Sequence, residues 1–236
     1  MNRVRNLMAL LCASLLLAGW KADATEPVPA GIERKRIVFL GDSITAGYGL
    51  DLSEAYPALI QEKLNRAALP FQVVNAGLSG DTTTGGLRRL DWVMRQPIDV
   101  LVVALGGNDG LRGIPVQLTH SNLVAILTRA KARDPQIQCV LVGMQMPPNL
   151  GQDYTDAFRV LFPKVSEETH AQLIPFLLEG VGGKPDLNQA DQIHPTAAGH
   201  HIIAETLWKA LRPVLNARVQ AIKPIPSASE TSLRGS

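Results

Sequence analysis

Residues 98–105 read Ile-Asp-Val-Leu-Val-Val-Ala-Leu, the most continuous apolar run outside the N-terminus. A run of that length without polar alternation has no face to give to water. It is expected to be a strand covered on both sides, the setting of a parallel sheet between helix layers. Four shorter apolar runs are assigned as strands with it: Arg36 to Leu40, Phe71 to Asn75, Ile137 to Val142 and Leu173 to Leu177. Segments with helical spacing lie between them. Glu54 to Ala68 repeats Ala55, Leu59, Ile60, Leu64 and Ala67, with Pro57 in its first turn and Pro70 past its end. A helix capped by Asp81 or Thr82 runs to about Arg95, with Leu87, Leu90 and Met94 on one face. Val116 to Arg133 carries Leu118, Leu123, Ile126, Leu127 and Ala130 at helical spacing. Asp153 to His170 follows, with Pro163 as a site for a kink, and His194 to Leu211 closes the series. Five alternations of strand and helix imply an α/β chain, a three-layer α/β/α sandwich around a doubly wound five-stranded parallel sheet.

The ends are set apart from this pattern. Arg3 and Arg5 precede an apolar stretch from Leu7 to Trp20, and Ala22-Asp23-Ala24 offers small residues for cleavage. Residues 1–24 are therefore expected to be a secretory signal peptide, too short for a comfortable membrane span, with an uncleaved anchor as the alternative. Periplasmic or secreted localisation follows from it. Its removal takes Arg3, Arg5, Lys21 and Asp23, leaving 20 basic and 20 acidic residues. Such a balance offers no footprint for nucleic acid. Cys139 is then the one cysteine left, inside an apolar run, and reads as a buried structural thiol. The folded domain is assigned to residues 25–215 and a flexible tail to 216–236, which is rich in Pro, Ser and Ala.

Ligands of doubly wound sheets bind beyond the C-terminal ends of the strands. Four loops that fall on that edge carry chemistry. Gly41-Asp42-Ser43 directly follows the first strand, and by itself reads first as a turn with Ser43 capping a helix. Gly80 follows the second strand, Asn108 the third, and Asp191 with His194 stands before the last helix. A serine needs an adjacent base to act as a nucleophile, and His194 is the candidate. Asp191, three residues earlier, can turn onto Nδ1 and fix the tautomer, with Asp186 as a competitor. The backbone N–H groups of Ser43 and Gly80 and the amide of Asn108 are candidate donors to an oxyanion. Each is also an ordinary loop residue, and their joint occurrence on one edge carries the functional reading. Asp42 and Asp109 are expected to bond neighbouring backbone amides. His194, His200 and His201 find no Cys, Asp or Glu partners at zinc-ligand spacing, so no metal and no cofactor is expected.

Gly41-Asp42-Ser43, Gly80, Gly107-Asn108-Asp109 and Asp191-Gln192-Ile193-His194-Pro195 resemble, in order, the four sequence blocks of the SGNH (GDSL-type) hydrolases. The likeness covers roughly residues 35 to 213. It is strongest to the secreted bacterial thioesterase, lysophospholipase and arylesterase group, through Ser79-Gly80-Asp81-Thr82, residues 106–113, and Pro148 to Gly151 with Tyr154. It implies a flavodoxin-like sheet and hydrolysis of carboxylic esters or thioesters. It assigns Ser43 as nucleophile and first oxyanion donor, Gly80 and Asn108 as the other donors, His194 as base and Asp191 as its orienter.

The triad serves oxygen and sulfur esters alike. Met146, Pro148 and Leu150 are candidates for an acyl or aryl groove, or simply cover the sheet edge. Leu111 and Ile114 are candidates to close over a substrate. Small acyl esters or thioesters are the expected partners, with a lipid substrate at a membrane surface as a variant and a monomer or small oligomer as the assembly. A carbohydrate O-acetylesterase and a non-catalytic secreted binding protein are the competing readings.

Overall fold

The structure is a computed structural model, and it describes residues 34–220. The assignments of residues 1–24 and 221–236 lie outside the described residues. Five parallel strands form one sheet in the order β2-β1-β3-β4-β5, with β1 at Lys35–Gly41, β2 at Phe71–Gly77, β3 at Val100–Ala104, β4 at Gln138–Val142 and β5 at Gln172–Ile174. The register runs Phe39 against Asn75 and Val102, and Val102 against Val140. All five residues of β3 are buried, as its uninterrupted apolar sequence requires.

Among the described residues seven α-helices complete the fold: α1 (Ser43–Ala46), α2 (Tyr56–Arg66), α3 (Thr83–Val93), α4 (Gly107–Leu111), α5 (Val116–Arg133), α6 (Gln152–Thr169) and α7 (Ala197–Gln220). Packing of α2 on α7, and of α3 on α5 on α6, covers the two faces of the sheet. Phe39, Tyr56, Phe71, Phe158 and Phe162 are the largest fully buried side chains. Each such side chain contributes on the order of 2–3 kcal/mol of burial. Cys139 is buried on β4 and its thiol is pushed up to about 11 by burial. No described helix is long and apolar enough to cross a membrane.

The element ends correct the sequence reading in three places. The third strand begins at Val100; Asp99 before it still bonds Arg36 and Gln138 through its backbone, and its carboxylate accepts from Lys35 Nζ and the Arg36 N–H, both at 2.9 Å. The fifth stops at Ile174, and past Pro175 the chain returns one bond to the fourth strand's end, from the Leu177 N–H to the Gly143 carbonyl at 2.9 Å. The last helix starts later than expected and runs through Pro213 to Gln220, so residues 216–220, read as tail, are helical. Leu207, Leu211 and Leu215 are fully buried on one face, which carries the helix past the proline.

The order 2-1-3 means that the winding reverses between β1 and β3. That is the switch point where such sheets open a crevice at their carboxyl ends. Ser43 follows β1 and Asn108 follows β3 at that point.

Candidate active site

The chain leaves β1 at Gly41 and enters α1 within two residues. Asp42, not Ser43, is the cap: its Oδ1 accepts from the Ile44 N–H at 3.0 Å. Ser43 is the first residue of α1, where an N–H has no intrahelical acceptor. None accepts from it among the described residues. Beneath α1, Thr45 Oγ1 and Tyr56 Oη lie 2.7 Å apart, and the Tyr56 N–H donates to His200 Nδ1 at 3.1 Å. These buried bonds join α1, α2 and α7. Burial raises the Tyr56 hydroxyl and lowers His200 to about 4, so this imidazole is neutral at physiological pH.

The last loop folds back onto Ser43. Asp191 Oδ1 accepts from the N–H groups of Ile193 and His194 at 2.9 and 3.0 Å, while Oδ2 stands 2.6 Å from His194 Nδ1. The turn holds Gln192 at φ +58°, a left-handed conformation that few non-glycine residues adopt. The hydrogen bonds from the His194 N–H and Nδ1–H and from Ile193 hold the Asp191 carboxyl down at about 2. An ionised Asp191 keeps the proton on Nδ1 and turns the Nε2 lone pair outward. Nε2 lies 2.8 Å from Ser43 Oγ. Asp186 sits in a 3-10 turn at Pro185–Leu187 and makes no bond to His194 among the described residues.

Two further groups hold the histidine. Tyr48, half exposed, lies against His194 with ring centroids 4.5 Å apart. Gln189 donates from Nε2 to the carbonyls of Tyr48 and Pro195, at 2.8 and 3.0 Å. It thereby ties the loop after α1 to the loop bearing His194.

Gly80 is exposed with φ +77°, a conformation open to glycine, and its N–H meets no acceptor among the described residues. Asn108 spends one Nδ2 hydrogen on the Asp81 carbonyl at 2.9 Å and keeps the other. Asp109 is fully buried and, against the expectation that it bonds neighbouring backbone amides, its carboxylate reaches distant residues. Its carboxylate accepts from the Thr83 N–H at 2.9 Å, from the Thr83 hydroxyl and, at 3.3 Å, from Thr119 Oγ1. These bonds fasten α4 to the start of α3, and so the Asn108 loop to the Gly80 loop.

Of the candidate substrate residues, Leu111 is exposed on α4, three positions past Asn108. Met146 is half-buried with its Sδ over Gly110 of the same helix. Ile114 is half-buried, its carbonyl accepting from Tyr154 Oη at 2.9 Å. Pro148 and Leu150 belong to a 3-10 turn leading into α6, exposed and half-buried respectively. Among the described residues no group of three or more His, Cys, Asp or Glu side chains is placed to hold a metal.

Residues 39–202 match the model of the GDSL-like lipase/acylhydrolase family. The chain belongs to that family. Among GDSL-like relatives, "Esterase TesA" of Pseudomonas aeruginosa is 38% identical over 213 residues, spanning 90% of this chain and all of that protein. "Thioesterase 1/protease 1/lysophospholipase L1" of Escherichia coli K12 is 41% identical over 182 residues, 76% of this chain and 85% of the relative. A crystal structure of TesA superposes with a TM-score of 0.73 at 39% identity, over 76% of this chain and 99% of that one. The expected fold and family likeness are borne out.

The sequence reading of this GDSL-like chain passed over Tyr48, Gln189, Tyr56 and Arg89. Each acts through a partner 10 to 150 positions away in sequence, roughly, and no local spacing marks such a partner.

Proposed function

We propose that this protein is a serine hydrolase of carboxylic esters and thioesters that works through an acyl-enzyme on Ser43. The observation that carries the reading is the unbroken chain from Asp191 Oδ2 through His194 to Ser43 Oγ, at 2.6 and 2.8 Å. Ser43 Oγ attacks the acyl carbon while Nε2 of His194 takes its proton. Asp191 holds the imidazolium in place. The oxyanion then accepts from the N–H groups of Ser43 and Gly80 and from Asn108 Nδ2, donors that are fixed before the reaction and cost no reorganisation. His194 returns the proton to the leaving alcohol or thiol, and a water repeats the sequence to release the acid.

The spare N–H groups of Ser43 and Gly80 favour this reading over a binding protein on the same fold. Aryl esters, acyl thioesters and lysophospholipids are the substrate classes named in the relatives. Leu111, Ile114, Met146, Pro148 and Leu150 are proposed to receive the acyl or aryl group. The signal-like layout of residues 1–24, basic residues before an apolar stretch, supports a periplasmic or secreted site of action, where a lipid substrate at a membrane surface is within reach.

The test is hydrolysis of p-nitrophenyl esters and matched thioesters, from acetyl to palmitoyl, by wild type, Ser43→Ala, His194→Ala and Asp191→Asn. Ser43→Ala and His194→Ala are each expected to lose about 10⁴-fold or more in kcat, because the triad acts as a unit. Asp191→Asn is expected to keep measurable activity. Equal rates for wild type and Ser43→Ala overturn the mechanism. A preference for acetylated sugars over aryl esters moves the assignment to a carbohydrate O-acetylesterase.

A further inference from the structure

Arg89 lies on α3, away from Ser43 in sequence, with its side chain about four-fifths buried at 19% exposure. Its guanidinium makes three bonds to three different segments. Nε donates to Asp81 Oδ2 at 2.7 Å, Nη1 to the Ala76 carbonyl at 2.8 Å and Nη2 to the Gly41 carbonyl at 2.9 Å. Gly41 ends β1 two residues before the nucleophile. Ala76 lies at the end of β2, and Asp81 directly follows Gly80. Asp81 carries the linkage further, since its own carbonyl accepts from Asn108 Nδ2 at 2.9 Å. One side chain thus touches the nucleophile strand and the Gly80 loop, and reaches the third donor through a single residue.

Buried strand-end carbonyls need partners, and that of Gly41 also accepts from the Leu78 N–H at 3.0 Å. Here a planar fork of fixed geometry takes two of them and a carboxylate together, which a flexible ammonium with a single head cannot reproduce. The carboxylate itself is 94% buried, so removing its partner leaves a buried acceptor unpaired beside Gly80.

We infer that Arg89 is a positioning residue that sets the spacing between Ser43 and the oxyanion donors Gly80 and Asn108. The inference rests on the serine-hydrolase reading and deepens it. Arg89 does not meet the substrate. It holds donors whose worth depends on where the tetrahedral oxyanion forms, so its loss weakens binding of the transition state and leaves binding of the ground state alone. A misplacement of about 1 Å at such a site costs on the order of 10²-fold in rate.

The experiment compares wild type, Arg89→Met, Arg89→Lys, Arg89→Ala and Ser43→Ala on one short p-nitrophenyl ester, well below each variant's unfolding temperature. Arg89→Met is expected to lower kcat by about tenfold to a hundredfold with KM within about twofold. Arg89→Lys restores part of kcat by keeping one donor. In Arg89→Ala, added guanidinium at non-denaturing concentration is expected to raise kcat, while sodium chloride at the same ionic strength does not. If Arg89→Met only lowers Tm and keeps the wild-type kcat, the residue is structural and the inference falls. If Arg89→Met does not fold, the Arg89→Lys kcat decides in the same way. Loss of the serine-hydrolase reading shows separately, as wild-type activity that Ser43→Ala retains.

Discussion

Asp42 caps α1 through Oδ1, yet only 3% of it is exposed, and burial pushes its carboxyl from 3.8 up to about 6. A raised carboxyl pKa contributes stability that is present below 3.8 and lost as pH rises through about 6. At neutral pH the ionised Asp42 is therefore a cost, at most about 3 kcal/mol. The charge is attracted to His194, so it favours the imidazolium that forms during acyl transfer. Asp42→Asn keeps an Oδ1 acceptor for the Ile44 N–H and removes the charge. The expected result is a higher Tm than wild type at pH 7, a gain that vanishes near pH 4, together with a lower kcat. Thermal unfolding at the two pH values, beside an ester assay, measures both. The same residue shows what local sequence conveyed and what it did not. A capping side chain in Gly41-Asp42-Ser43 was legible. Which of the two side chains caps was not, because that depends on the helix starting at Ser43, which leaves Asp42 in the cap position.

Elements converge on the nucleophile at Gly77, where β2 ends. A Cβ on Gly77 would lie 2.3 Å from the backbone N of Ala46 and 2.8 Å from its Cα. Nothing flexible stands there to yield, so β2 presses directly on α1. Asn75 makes the same junction polar: its Oδ1 accepts from the Gly77 N–H and its Nδ2 donates to the Thr45 carbonyl, both at 2.9 Å. Gly77→Ala is expected to displace α1, destabilise by about 1–3 kcal/mol and depress kcat along with it. Denaturant unfolding and steady-state kinetics of the variant check the two effects; an unchanged kcat would separate β2 from the site. The long elements were legible. Val116 to Arg133 came from its apolar repeat with both ends correct. The single-turn helices α1 and α4, with four and five residues, were not, since one turn contains no period to read. Both are created by the loops they terminate.

Across the whole molecule, two buried groups titrate against each other. His200 is lowered from 6.5 to about 4 by burial, so its contribution is full above 6.5 and lost as pH falls toward 4. Asp42 acts with the opposite sign between 3.8 and about 6. The wild-type stability is therefore expected to be nearly flat between about pH 4 and pH 6. Asp42→Asn should then rise in stability with pH in that window, and His200→Asn should fall. Below it, Asp191 gives up its contribution between 3.8 and about 2. Asp99 does the same in kind, its bonds to Lys35 and Arg36 outweighing the upward push of burial. Tm measured from about pH 3 to pH 7 for the three proteins tests the balance. Parallel curves would refute it.

What the sequence by itself determined is the alternation of five strands and their helices, and the residue types on one sheet edge. Apolar periodicity is a property of neighbours in the chain, so it survives without a structure. The site candidates Ser43, Gly80, Asn108, Asp191 and His194 stand in loops on one sheet edge, each with a residue type that acyl transfer needs. Only the tertiary structure decided how those loops meet. The sheet order puts β1 beside both β2 and β3, so three loops distant in sequence open at one crevice. There Arg89 reaches Gly41 and Asp81, Gln189 reaches Tyr48, and Tyr56 reaches His200. Hydrogen bonds of that span follow from the folded path of the chain. A serine in a turn and a histidine 151 positions later come within 2.8 Å because of that path.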